Sequence, residues 1–174
     1  MRTEELARKC ATRYHHGQFR KGNHEPYIVH PAAVVRYLKQ HGIDDDVSLS
    51  VAWLHDVVED TAMTWEQVEN IFGKDIASGV HLLTRDVGRE EYKTRLSYAP
   101  DNIKMVKLCD TLHNVEDMKY MSLKGIWRKI NDCRDYYIPM ARELCPGIAS
   151  RLEICIEDYL FSRNQLSGIP VPAV

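Results

Sequence analysis

The sequence predicts an all-α protein. Apolar residues recur at helical spacing through most of the chain, and capping residues precede and glycines follow these runs. No alternating Val/Ile/Thr stretch is bounded by hairpin turns. A length of 174 residues, 44% apolar and 28% charged, corresponds to one globular domain spanning 1–174.

The first helix is expected over roughly 3–16, with Thr3 as N-cap, Glu4 and Glu5 in the anion-favouring first turn, and a Leu6, Cys10, Tyr14 stripe ending at Gly17. Residues 18–30 contain Gly, Asn and Pro without a helical period and read as a loop. Pro31 then opens a second helix with His30 at or near its N-cap, and Gly42 closes it. Asp44–Asp46 cap a third helix that the Val47, Val51, Leu54, Val58 spacing carries to about Asp60. Thr64 and Gln67 form a capping box for a short helix stopped by Gly73, and another helix follows over Asp75–Thr84. Residues 85–101 read as a mobile polar connection with a turn or two around Glu90–Leu96. The segment Asn102–Met118 has apolar residues on two faces, Ile103 and Val106 against Leu108, Leu112 and Val115, which marks a central helix. Gly125–Cys145, kinked at Pro139, and Gly147–Arg163 complete the helical pattern, and SGIPVPAV is too short and Pro-rich to add an element.

Twenty-three Lys and Arg against 25 Asp and Glu leave a net charge of −2, which argues against a duplex nucleic-acid binder and means that an anionic ligand must meet a local basic cluster. Five cysteines without a C-x-x-C pair suggest reduced thiols rather than disulfides or a thiolate zinc site. With no signal-peptide core and no membrane-length apolar run, the expected setting is the cytoplasm, away from membranes. Homo-oligomerisation is left open, with no feature indicating it.

The segment VAWLHDVVEDT places His55, Asp56, Glu59 and Asp60 in an otherwise core-like helix. Positions 55 and 59, and 56 and 60, are i, i+4 pairs, so on one continuous helix all four project from one side. Three carboxylates crowded there repel unless a cation or protons sit among them. A second polar row, Asp110, Asn114 and Asp117, lies on the two-faced helix, and His30 stands at the mouth of the second. His30, His55, Asp56 and Asp110 make a mixed N/O ligand set that suits manganese, iron or zinc and leaves positions open for water.

Three successive segments, HHGQFRKGNHEPYIVHP, LHDVVEDT and VKLCDTLHN, resemble the motifs of HD-domain phosphohydrolases. The nearest branch is the alarmone hydrolases, comprising the hydrolase domain of RelA/SpoT-type proteins and small stand-alone enzymes. The resemblance covers about residues 3–120, leaving 125–163 as a helical pattern only. It implies an all-helical bundle with one Mn²⁺ held by His30, His55, Asp56 and Asp110, and Glu59 and Asp60 as the acidic pair serving water activation and proton transfer. It also implies that Arg20 and Lys21 contact the guanine end, Tyr27 lines the pocket and Asn114 holds the nucleoside. The implied reaction is hydrolysis of (p)ppGpp at the 3′-pyrophosphate, giving GDP or GTP and pyrophosphate. Arg89, Lys93 or Arg95 of the polar connection could add cations for the pyrophosphate groups. Two departures stand out: Thr111 follows Asp110 where these hydrolases commonly carry Arg or Lys, and the loop from the basic pair to His30 is one residue longer. These departures keep open an HD phosphohydrolase acting on another nucleotide or phosphoester. A nucleotide-sensing module without catalysis is the third reading, against which stands the retention of both Glu59 and Asp60.

Overall fold

The computed structural model describes residues 2–22 and 24–167. They group into two compact units, one ending at Asp110 and the other beginning at Thr111. Among the described residues all regular structure is helical, apart from an isolated antiparallel bridge between Phe19 and Pro26, and no helix is long and apolar enough to cross a membrane.

Helix α1 spans Thr3–Tyr14 and is preceded by Arg2 as its N-cap, so Thr3 is the first helical residue rather than the cap expected of it. The helix also ends two residues before the expected position, at Tyr14, and His15 enters the loop. Helix α2 spans Val29–Gln40. Its start corrects the sequence reading: the Tyr27-to-Pro31 segment is already helical from Val29, so His30 sits buried in the first turn instead of capping it. The first turn of a helix tolerates the missing proline N–H over several positions, and Pro31 uses that latitude.

Helix α3, Asp46–Leu54, is capped by Asp45, whose carboxylate accepts the Ser48 N–H at 2.8 Å. Every residue from Ser48 to Leu54 is buried. A helix apolar on all sides must be enclosed, and α3 packs against α1, α2 and α6 (Lys74–Leu83). The close approach of α6 depends on Gly79, where an added Cβ would lie 2.6 Å from Val51 Cγ2 and 2.9 Å from Ile103 Cδ1.

The expected continuous helix to Asp60 is broken. Asp56, at φ −102° and ψ −5°, separates α3 from the single turn α4, Val57–Asp60. Helix α5, Trp65–Phe72, has the full Thr64–Gln67 capping box and stops at Gly73, which takes φ +82°. Residues 85–101 hold more order than a polar connection: α7 runs Arg89–Ser97, with Tyr92 and Leu96 buried and the Tyr92 hydroxyl donating to the Leu83 carbonyl at 3.1 Å. Those two residues are one turn apart, so even a sparse apolar stripe anchors the helix.

Helix α8, Asp101–Glu116, carries residues of both units. Ile103, Val106, Leu108, Leu112 and Val115 are all buried, as its two apolar faces require. In the second unit a 3₁₀ turn, Met118–Tyr120, precedes α9, Leu123–Asp132, whose N-cap Ser122 accepts the Gly125 N–H. Pro139, expected to kink the helix, instead occupies the tolerant first turn of α10, Ile138–Leu144, which follows a π-helical stretch over Cys133–Tyr137. Helix α11, Pro146–Ser167, packs on α10. The expectation for the SGIPVPAV tail falls, beyond Ser167, outside the described residues.

Candidate metal centre and active site

Three short-range devices bring the polar residues of the first unit together. The break after α3 lets His55 and Asp56 turn inward from the end of a buried helix. The helical start at Val29 delivers His30 from α2, and α8 supplies Asp110 from an otherwise apolar face.

His55 is oriented by its own backbone. Its Nδ1 lies 2.9 Å from the Ala52 carbonyl, which can only accept, so Nδ1 carries a proton and Nε2 faces the site. That Nε2 is 3.2 Å from His30 Nε2, 3.0 Å from Asp56 Oδ2 and 3.8 Å from Asp110 Oδ1. His30 Nε2 is 3.1 Å from Asp110 Oδ1 and 3.6 Å from Asp56 Oδ2. Two donors bonded to one ion at about 2.1 Å stand about 3.0 Å apart at right angles and about 3.4 Å apart in a tetrahedron. The observed separations bracket those edges: His30, His55 and Asp56 have ligand atoms within 4.8 Å of one another and fit a divalent ion, and Asp110 lies against both imidazoles.

The four groups set one another's charge. Burial works against charge on His55, but the Asp56 and Asp110 carboxylates outweigh it and raise His55 to about 9. Burial lowers His30 below the ordinary imidazole value, leaving it the neutral partner. Burial likewise opposes ionisation of Asp56, yet His55 and His30 hold it well below the usual carboxylate range. Asp110 is also held low against its burial, first by Lys107, whose ammonium donates to Asp110 Oδ2 at 2.7 Å.

Glu59 and Asp60 follow this cluster on α4, and each has its own partners. Glu59 Oε2 accepts the Arg85 N–H at 3.0 Å. Asp60 Oδ2 lies 3.2 Å from the Tyr27 hydroxyl, which also donates to Asp56 Oδ2 at 2.5 Å. Burial and then Asp56 push the Tyr27 phenol upward, so it remains a proton donor. The loop 18–28 fixes it there: Tyr27 N–H donates to the Gln18 carbonyl at 2.9 Å, and Arg20 N–H donates to the Glu25 carbonyl at 2.8 Å. Arg20 is half-buried, with its guanidinium carbon 5.9 Å from the centre of the Tyr27 ring, while Lys21 is exposed. Asn114 follows Asp110 by one turn of α8, half-buried, in the second unit.

The cations expected from the polar connection have local commitments. Arg95 pairs with Asp86 at 2.8 Å and donates to the Thr84 carbonyl, and Lys93 lies 3.6 Å from Glu90. Sequence reasoning passed over Lys107, although its i, i+3 spacing to Asp110 was visible. It also passed over the contacts of His15 and Gln18: His15 is buried and stacks on Tyr27 with ring centres 4.6 Å apart, and Gln18 reaches α4. Those contacts join residues far apart along the chain, and local periodicity carries no signal for them.

A family model described as HD domain matches residues 7–97, just over half of the chain. The chain is 38% identical over 127 residues to the Xenopus tropicalis protein named guanosine-3′,5′-bis(diphosphate) 3′-pyrophosphohydrolase MESH1, covering 68% of this chain and 71% of that one. It is 31% identical over 167 residues to a Borreliella burgdorferi guanosine-3′,5′-bis(diphosphate) 3′-pyrophosphohydrolase, covering 89% of this chain and 24% of that protein. The chain spans about a quarter or less of the length of the first two bacterial relatives it matches. The fold is similar to that of a metazoan orthologue of SpoT that hydrolyses ppGpp, with a TM-score of 0.80 at 24% identity, covering 91% of this chain and 96% of that one.

Proposed function

The chain belongs to the HD-domain family, and on that premise we propose that it is a divalent-metal phosphohydrolase, with Mn²⁺ as the metal, that cleaves (p)ppGpp at its 3′-pyrophosphate. The observation that carries this reading is the convergence of His30, His55 and Asp56, with donor atoms 3.0–3.6 Å apart, and of Asp110 at 3.1 and 3.8 Å from the two imidazoles, followed on α4 by the Glu59–Asp60 pair. The names of the Xenopus and Borreliella relatives support the substrate.

In this reading those four residues hold the ion. When bound, it supplies Lewis acidity toward water and toward a phosphoryl oxygen. Glu59 and Asp60 accept the proton of the attacking water and hold it for transfer. The new bond joins the water oxygen to phosphorus, the bond from phosphorus to the ribose 3′ oxygen breaks, and that oxygen takes a proton. The products are pyrophosphate and GDP or GTP. Tyr27 donates its hydroxyl proton to Asp56 and lies 3.2 Å from Asp60 Oδ2. Arg20 and Lys21 meet the guanine end and Asn114 the nucleoside.

Purified protein loaded with Mn²⁺ is expected to release pyrophosphate and GDP from ppGpp, resolved chromatographically, and to lose this activity with chelator. Thr111, buried where the related hydrolases commonly carry Arg or Lys, is the reason to assay other nucleotides in parallel. Turnover of another nucleotide with ppGpp untouched would keep the metal site and overturn the substrate. No turnover at all by metal-loaded protein would favour a sensing module.

A further inference from the structure

We infer that His15 and Gln18 are positioning residues that hold the α4 turn, and with it the carboxylate of Asp60, in place for the reaction. The inference rests on the proposed catalytic role of Asp60 and adds to it a support that reaches back to the end of α1.

A single helical turn is weakly held by its own hydrogen bonds. In α4 these amount to Asp60 N–H to the Asp56 carbonyl at 2.9 Å and Thr61 N–H to the Val57 carbonyl at 3.1 Å. The last carbonyls of any helix lack an internal donor. Here the Asp60 carbonyl receives the Gln18 Nε2–H at 2.7 Å, across 42 residues of sequence. This bond falls on the backbone of the residue whose side chain has to be aimed.

The Gln18 amide is itself oriented. Its Oε1 lies 2.7 Å from His15 Nδ1, and an amide oxygen accepts only, so Nδ1 carries the proton. Reversing the amide would set its oxygen against the Asp60 carbonyl, which accepts only, so that carbonyl fixes the amide and through it the His15 tautomer. His15 is buried and stacks on Tyr27 at an interplanar angle of 26°. Tyr27 in turn reaches Asp60 Oδ2 through its hydroxyl. Asp60 is thus held at its carbonyl through Gln18, while Tyr27, which spends its proton on Asp56, lies beside its carboxylate.

The arrangement also has a cost that packing alone does not explain. With Nδ1 protonated, His15 Nε2 is a buried acceptor with no hydrogen-bond partner among the described residues. Such an atom lowers stability relative to an apolar side chain in the same slot. The Nδ1–H given to Gln18 is what the imidazole supplies in return.

The test compares metal-loaded wild type with Gln18→Glu, His15→Asn, His15→Gln and Asp60→Asn. It reads kcat and KM for ppGpp, metal content, and hydrogen exchange of the amides at 60 and 61. Gln18→Glu keeps the shape and still accepts from His15, but cannot donate to the Asp60 carbonyl. It is expected to lower kcat about 10- to 100-fold, the scale of a small misplacement of a reacting group, with KM within about twofold and metal content unchanged. Exchange at 60 and 61 should accelerate while that of α5 stays as in wild type. An asparagine side chain can place an N–H near the position of Nδ1 whereas glutamine reaches that of Nε2, so His15→Asn should retain more kcat than His15→Gln. Wild-type kcat and exchange in Gln18→Glu, or equal kcat in the two His15 variants, would overturn the inference. Loss of turnover in Asp60→Asn together with wild-type behaviour in Gln18→Glu would sink this inference alone. Full turnover in Asp60→Asn would instead overturn the role proposed for Asp60, and the exchange measurement would still decide whether Gln18 anchors the turn.

Discussion

Metal binding should displace one proton, and its affinity should therefore climb with pH. In the metal-free site His55 is raised to about 9 while His30 is lowered, so at neutral pH the pair holds one proton, on His55, facing Asp56 and Asp110. A metal ion can coordinate His55 Nε2 only after that proton leaves. Below about pH 9 the apparent association constant should then rise about tenfold per pH unit, because each unit makes the competing proton ten times scarcer. From pH 6.5 to 8.5 the expected gain is about 100-fold. Calorimetric titration of metal-free protein with Mn²⁺, in buffers of different ionisation enthalpy, gives both the affinity and the number of protons released, expected near one at pH 7.5. An affinity constant across that range, or no proton release, would refute the assignment of His55 as the internal cation. The same shift has a stability consequence of defined sign. Because the folded His55 value lies above the unfolded imidazole value of about 6.5, its contribution is fully present below pH 6.5 and is lost as pH rises toward 9. Bound metal should remove that dependence, as thermal melts at pH 6 and 9 with and without Mn²⁺ would show.

Asp56→Ala should abolish metal binding and turnover together, whereas Glu59→Gln should retain metal and the bond from Arg85 N–H while losing about 10²- to 10⁴-fold in kcat; metal content and rate on the same samples separate the two, and a fully active Glu59→Gln would remove it from proton transfer. Arg20→Ala should raise KM for ppGpp more than for a generic phosphodiester, and equal effects on both would take Arg20 out of nucleotide recognition. Gly79→Ala should destabilise by about 1–2 kcal/mol in urea unfolding: the Cβ meets the stiff Val51 side chain at 2.6 Å, and an overpacking cost toward the upper end of about 1–3 kcal/mol outweighs the gain of about 1 kcal/mol in helix propensity. An unchanged or raised midpoint would mean that α3 and α6 part more easily than their packing implies.

The elements most legible in the sequence are those governed by neighbours along the chain. The Thr64–Gln67 capping box, the Gly73 stop and the Asp45 cap involve residues within a turn of one another, and each appears where pattern and capping chemistry put it. The ligand types were legible for a related reason. Charged residues inside an apolar helix are costly, so His55, Asp56 and Asp110 stood out against their surroundings. Helix boundaries set by long-range demands were not legible. The break at Asp56 interrupts a run whose periodicity continues to Val58, and the early start of α2 overrides the ordinary use of Pro31 as a first residue.

The sequence by itself determined the helical class, the apolar faces of α8 and the identity of the four candidate ligands, because periodicity and the cost of burying charge act locally and leave a mark on the order of residues. Only the tertiary structure decided that His30, from a different helix, comes within 3.2 Å of His55, that Lys107 and the imidazoles share the neutralisation of Asp110, and that Gln18 closes the end of α4. Such contacts depend on how α2, α3 and α8 meet in space, and packing that joins residues 25 to 80 apart leaves no periodic trace in the chain.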